Sequence, residues 1–307
     1  MSTPRARPVP AYQGRPLVRP EEELADQGLG FDVTTLLSRR NLLRTLGLGA
    51  AAAGLAACST SSTSGTSDAA AAATSAGEIP EETAGPYPGD GTNGPDVLEQ
   101  SGIVRSDLRS SFGDASGTAA GIPMALELTL TNLASGEPFA GAAVYVWHCT
   151  REGGYSLYSE GIADQNYLRG VQVADAEGRV QFTSIVPGCY DGRWPHIHFE
   201  VYPDRASITD DSAVIATSQV ALPAGVCEQV YATEGYSASV ANLERVSLDS
   251  DMVFGDDGGA SQLATASGDV TRGYDIALSV GIDTSTTPGS AQDGGGRAGG
   301  RPPGAPG

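Results

Sequence analysis

The chain of 307 residues has no lysine, and only three histidines, two tryptophans and four cysteines. All 18 of its basic residues are therefore arginines, set against 37 acids, for a net charge of −19. Seven arginines and five acids precede Cys58, so the portion from Cys58 onward carries 11 against 32. A surface of that sign repels nucleic acid and anionic lipid headgroups, and neither is expected as a partner. The apolar run 45–57 has 13 residues. As a helix it would span about 20 Å, too short for a bilayer core of about 30 Å. Helical patterns are scarce too; 237–246 is the one candidate of any length.

What is there divides by composition. Residues 59–79 are nearly all Ser, Thr, Ala and Gly, and 286–307 are mostly Gly, Pro, Ala and Arg. Neither stretch holds enough apolar surface to offset its ordering entropy, so a linker and a disordered tail are expected. One domain remains, over 80–285. Ahead of it, Arg39-Arg40 precede the apolar run, which closes on Leu55-Ala56-Ala57-Cys58. Residues 1–58 thus read as an extension carrying a twin-arginine signal and a lipoprotein-type cleavage box. The expectation is export, with a lipid on Cys58 as the only membrane attachment. Cys149, Cys189 and Cys227 remain. In an oxidising compartment two of them are expected to form a disulfide, with the pair left open.

The domain alternates with period two. Leu126-Glu127-Leu128-Thr129-Leu130-Thr131 does so strictly, and 141–147, 179–185, 196–202, 213–222 and 275–282 follow with turn signals between them. Ser135-Gly136-Glu137-Pro138 reads as a hairpin connection. The predicted fold class is all-β, a sandwich of mostly antiparallel strands with long loops.

Two of the three histidines lie in Trp194-Pro195-His196-Ile197-His198-Phe199-Glu200-Val201-Tyr202. On a strand, Ile197, Phe199 and Val201 share one face, and His196, His198 and Glu200 the other. Two imidazoles roughly 7 Å apart at their roots can grip one metal ion. Tyr190 and Arg193 stand just upstream. A second aromatic cluster, 144–155, runs from a strand into a Gly-rich loop carrying Tyr155. Two imidazoles with two phenolates favour a strongly Lewis-acidic cation, because a free phenol ionises only near pH 10. Ferric iron fits; zinc and calcium prefer other donors.

These segments resemble the intradiol ring-cleavage dioxygenases, non-haem iron(III) enzymes that open catechols. The matching pieces are Glu82-Thr83-Ala84-Gly85-Pro86-Tyr87, Val146-Trp147-His148-Cys149 with Gly153-Gly154-Tyr155, and Tyr167-Leu168-Arg169-Gly170-Val171-Gln172 with Asp175 and Gly178-Arg179-Val180. They continue in Pro187-Gly188-Cys189-Tyr190, Arg193-Trp194-Pro195-His196-Ile197-His198 and Thr217-Ser218-Gln219. The resemblance implies one Fe(III) per chain, held by Tyr155, Tyr190, His196 and His198. It implies that Tyr190 yields its place to a small aromatic diol and takes one of its protons. Arg193 would stand beside the substrate ring, with Gln219 behind it. Dioxygen would be the co-substrate and a cis,cis-muconate-type diacid the product. The family's N-terminal helical dimerisation region is replaced here by the Ser/Ala-rich stretch, so that dimer is not expected.

Other readings compete residue by residue. Tyr158 rivals Tyr155, Cys189 rivals Tyr190, and the two histidines could face solvent. Arg193 could sit in a structural salt bridge and Gln219 in a strand hydrogen bond. His148 reads as structural, and Asp204, Asp210 and Asp211 as a solvated loop. For the whole molecule, the rivals are a secreted binding or adhesion module with a vestigial metal site, and a zinc hydrolase using Glu200 as base.

Overall fold

Leu126, Leu128 and Leu130 alternate with Glu127, Thr129 and Thr131 along strand β1 (Pro123–Asn132), and of these six only the leucines are buried. The computed structural model describes residues 77–285, together with two short paired strands, Ala11–Tyr12 and Arg15–Pro16. The twin-arginine segment, the apolar run, the lipidation site at Cys58, nearly all of the 59–79 linker and the 286–307 tail lie outside the described residues.

A turn joins β1 to β2 (Glu137–Pro138), as the Ser-Gly-Glu-Pro segment predicts. The strands β3 (Ala143–Trp147), β4 (Arg169–Val173), β5 (Arg179–Ile185), β6 (His196–Tyr202) and β7 (Ala216–Ala221) follow. Next come two helices, α1 (Ala224–Tyr231) and α2 (Ser237–Leu243), and the hairpin β8 (Thr265–Asp269) to β9 (Gly273–Ile282). One sheet has the order β8-β9-β1-β2, with β5 also paired to β1; the other is β4-β3-β6-β7. All pairings are antiparallel except β9 with β1, which run parallel from Tyr274 opposite Met124 to Ile282 opposite Asn132. The all-β sandwich expected from the period-two pattern is the fold.

The core lies between the sheets. Leu126, Leu128, Phe182, Ile276 and Val280 from one meet Val144, Val146, Ile197, Phe199 and Val201 from the other. The second sheet is also covered on its outer face. There Ala143, Tyr145, Trp147, Val171 and Tyr202 pack against Val97, Leu98, Ile103 and Tyr155. The central strands β3 and β6 are therefore buried on both faces along their whole length. That double cover is what places the outward-pointing His196 and His198 inside the protein.

Three expectations need correction. First, Cys149, Cys189 and Cys227 are all free and buried, so no disulfide forms among them. The Cys149 thiol donates to Gly188 O (3.5 Å) and the Cys189 thiol to Arg193 O (3.4 Å), so each is engaged by backbone on its own. Burial pushes both thiols up to about 12, far from a reactive thiolate. Second, α1 was not expected, and α2 ends at Leu243 and not at 246. Gly225 and two β-branched valines give α1 a poor propensity, but Val226, Cys227, Val230 and Tyr231 form one buried stripe that docks on the core. Third, β4 and β8 escaped the period-two reading because they do not alternate cleanly: β4 begins with three buried residues and β8 is exposed almost throughout. Among the described residues no helix is long and apolar enough to cross a membrane.

Candidate metal centre

The site is built from one strand and two loops. Strand β6 supplies His196 and His198, at 2% and 3% exposure, so they do not face solvent. The loop after β3 supplies Tyr155 and the loop before β6 supplies Tyr190. Those loops touch backbone to backbone: Gly188 N donates to Thr150 O at 3.0 Å. A Cβ on Gly188 would stand 2.5 Å from Arg151 O, so only glycine permits this approach. Gly153 has φ +92°, and a Cβ there would meet Tyr190 Cβ at 3.3 Å. The glycines beside each tyrosine thus bring the two phenols together.

The donor atoms form a connected chain. Tyr155 Oη lies 3.4 Å from Tyr190 Oη, which lies 3.0 Å from His196 Nε2, which lies 3.1 Å from His198 Nε2. The rings of Tyr155 and His198 close the circle edge to face, with centroids 6.2 Å apart. At metal–ligand bonds of about 2.1 Å, neighbouring ligands at right angles lie about 3 Å apart. The spacings seen are of that size.

Electrostatics suit the same purpose. Burial, with the Arg193 charge second, pushes His196 well below its ordinary range; burial and His196 do the same to His198. Both imidazoles are neutral. His196 Nδ1 donates to Trp194 O, which turns its Nε2 lone pair toward the cluster. Burial, reinforced by Tyr190, raises Tyr155 well above the phenol range. Burial also pushes Tyr190 up to about 12 against the opposing charge of Arg193. Two adjacent phenols therefore keep their protons unless a cation ionises them. Two neutral nitrogens and two phenol oxygens at these spacings fit ferric iron. Among the described residues no group of three or more His, Cys, Asp or Glu side chains has metal-binding geometry.

Tyr158 lies outside this cluster: its hydroxyl donates to Asn93 Oδ1 (2.6 Å) and accepts from Gly89 N (2.8 Å). His148 is bonded at both nitrogens, to Cys149 O and Ser184 Oγ. Asp204 and Asp210 cap the short turns that follow them. Glu200 accepts from Tyr202 Oη, and burial pushes it up to about 8, leaving it mostly protonated near neutral pH. It is not a ready base for a zinc hydrolase.

Arg193 is buried, with Nε 2.9 Å from Asp251 Oδ2 and Nη2 2.6 Å from Gln219 Oε1. Gln219 sits on β7 opposite His198, and its Nε2 donates to Thr83 O at 3.0 Å. Both ends of the Gln219 amide are thus engaged by protein, and it anchors the arginine from behind.

Sequence reasoning missed Asp251, which lies 58 positions from Arg193 with no local pattern to mark it. It also left Arg169 without a role, although the residue was among the matched pieces. The buried Arg169 guanidinium donates to Tyr87 O, Pro88 O, Ser156 O and Ser156 Oγ. It ties the segment containing Tyr87 to the loop containing Tyr155. Five hydrogen bonds, all to neutral acceptors, hold this cation where no carboxylate does.

Comparison with known proteins bears on these residues directly. The family model Dioxygenase_C, described as Dioxygenase, matches residues 93–204. An intradiol ring-cleavage dioxygenase from Tetranychus urticae superposes with a TM-score of 0.52, covering 69% of this chain and 96% of that one at 22% identity. Residues 93–204 of this chain are thus similar to a dioxygenase family, and its fold is that of a solved intradiol ring-cleavage dioxygenase. A chlorocatechol 1,2-dioxygenase of Rhodococcus opacus is 44% identical over 57 residues, 19% of this chain and 22% of the relative. A catechol 1,2-dioxygenase of a Pseudomonas strain is 39% identical over 56 residues, 18% of either chain. The alignments span about a fifth of the curated relatives' length. The likeness to the solved intradiol dioxygenase is one of fold. All four donor residues and Arg193 fall inside the segment matched by the dioxygenase family model; Gln219 and Asp251 fall beyond it.

Proposed function

We propose that the protein is a non-haem Fe(III)-dependent dioxygenase that cleaves a catechol-type diol between its two hydroxyl-bearing carbons. Both atoms of O2 enter the product, a cis,cis-muconate-type diacid. The observation that carries this reading is the circle of four donor groups, three of them buried and Tyr190 half-buried, with phenol and imidazole atoms 3.0 to 3.4 Å apart. A binding or adhesion module gives no reason to bury two neutral imidazoles against two phenols.

Ferric iron, when bound, would supply the Lewis acidity that ionises a catechol's hydroxyls, and the ionised diol is the electron-rich form that reacts with dioxygen. The chain does the rest. His196 and His198 present neutral nitrogens fixed by β6. Tyr155, 2% exposed and backed by the Tyr87 ring, is the permanent oxygen donor. Tyr190, the one member on a loop that is only partly buried, meets the incoming diol, and its Oη accepts a diol proton as it withdraws. Arg193 places a fixed positive charge beside this group in a water-poor pocket, where it stabilises negative charge on the ring. Gln219 holds that charge in place.

Loading the purified chain with ferric iron is the direct test. A burgundy charge-transfer colour and one-to-one oxygen uptake on catechol support the reading; a colourless iron-loaded protein would overturn it. An oxygen-uptake screen across catechol, hydroxyquinol, protocatechuate and larger phenols identifies the substrate. We further propose, from residues 38–58, that the protein is exported through the twin-arginine pathway and lipid-anchored at Cys58. Metabolic labelling with a radioactive fatty acid, lost in Cys58→Ser, tests that part.

A further inference from the structure

We propose that Asp251 is a positioning residue of this site, acting through Arg193 and Trp194; the inference rests on the catechol-cleaving function proposed above. Asp251 follows the turn Leu248–Ser250, and its carboxylate is fully buried. Its two oxygens accept four hydrogen bonds. Oδ2 receives Arg193 Nε at 2.9 Å and Trp194 N at 2.6 Å. Oδ1 receives Val253 N at 2.7 Å and Phe254 N at 3.1 Å.

Each of the Oδ2 contacts leads to the donor cluster. On the first branch, Arg193 is gripped along two edges, by Asp251 at Nε and by Gln219 at Nη2. A planar guanidinium held at both edges cannot rotate away from the phenols. On the second branch, the Trp194 backbone is held at its N–H by Asp251, while its C=O, in the next peptide unit, accepts from His196 Nδ1. The indole of the same residue is pinned by Leu222 O at 2.9 Å. One carboxylate thus sets both the direction of the fixed positive charge and the carbonyl that orients a metal-facing imidazole. Its own charge also matters, because a buried guanidinium with no counter-charge is strongly disfavoured. Asparagine has nearly the same shape but only one accepting oxygen, and its NH2 would face an N–H donor. Asp251→Asn therefore removes the function of the carboxylate with little change of volume.

The test uses iron-loaded full-length wild type, Asp251→Asn, Arg193→Gln and the double variant. It reads iron stoichiometry, the position of the visible band before substrate, kcat per bound iron, and KM for catechol. Asp251→Asn is expected to retain iron, shift the visible band, and lower kcat per iron by about tenfold or more, with KM changed by less than about threefold. In the Arg193→Gln background the same substitution should lower kcat per iron by a clearly smaller factor than in wild type, because the Arg193 branch is already gone and only the Trp194 branch remains. Unchanged kcat per iron, or an equal loss in both backgrounds, overturns the positioning role. If Asp251→Asn does not fold, Asp251→Glu keeps the charge and displaces it by one methylene. A fall in kcat per iron with iron retained is then expected, and wild-type kcat per iron overturns the proposal. A wild-type protein that consumes no oxygen on any catechol overturns the function and this role together. An active wild type with an unaffected Asp251→Asn overturns this role alone.

Discussion

Trp147 lies flat against His198, ring centroids 4.9 Å apart and planes 5° from parallel, because the two residues are direct partners in the antiparallel β3–β6 register. Tyr145 also stacks on Trp147, with centroids 4.9 Å apart. The imidazole is thus wedged by aromatic surface, and its Nδ1 has no hydrogen-bond partner among the described residues. Packing therefore does for His198 what the Trp194 carbonyl does for His196. Trp147→Leu should weaken iron affinity by about tenfold, the size expected when a ligand loses its orienting neighbour. Competition with a calibrated chelator measures it, and unchanged affinity would count against the wedge.

Tyr155→Phe and His198→Ala remove donor atoms from the cluster without touching its loops. Both variants should bind less than about a tenth of the wild-type iron under the same chelator, and lose the visible colour and oxygen uptake together. Metal analysis and a spectrum of the same sample check it. Retained turnover in either variant would remove that residue from the metal-holding set.

Arg193→Ala should behave differently from the donor variants. It leaves all four donors in place and removes the fixed charge, so iron and colour persist while kcat falls by about 10²- to 10³-fold. It also strands the Asp251 carboxylate, fully buried, without its counter-charge. The expected cost in stability is about 3–5 kcal/mol, read by urea denaturation. Arg193→Lys should recover part of the stability but little of the rate, since an ammonium cannot span Asp251 and Gln219 at once.

Glu82 gives a pH prediction. Its carboxyl is pushed from 4.5 up to about 8, chiefly by burial and then by Asp256, with Arg193 opposing. Between those values the folded chain keeps a proton that the unfolded chain releases. Its contribution to stability is therefore complete below about 4.5 and is lost as pH rises toward 8. Glu82→Gln cannot titrate and should remove that slope, on the order of a few kcal/mol across the window. Denaturation midpoints for the two proteins at pH 5 and pH 8.5 check it. Parallel pH dependence in both would show that Glu82 ionises normally.

Some of this was legible along the chain. The limits of β5 and β6 follow from period-two alternation, because a strand with one face on the core must repeat every second residue. The Tyr155, Tyr190, His196 and His198 set was legible through its spacing and its family resemblance. The helix α1 was not, because its stability comes from docking Val226 and Val230 on the core and not from local propensity. The free cysteines were not, because pairing depends on where three distant thiols point. Arg193 looked like a residue for the substrate or for a salt bridge; the fold makes it an ion-paired charge beside the donor cluster.

The sequence by itself determined the all-β class, the shared face of His196 and His198, and the residue types able to hold a trivalent cation. These depend on local alternation and donor chemistry, which need only neighbours in the chain. Tertiary structure alone decided that this face is buried, that the two tyrosine loops meet across Gly188, and that Asp251 reaches Arg193 from 58 residues away. Those contacts join segments remote in sequence, and only packing two sheets under a covering loop layer brings them within hydrogen-bond reach.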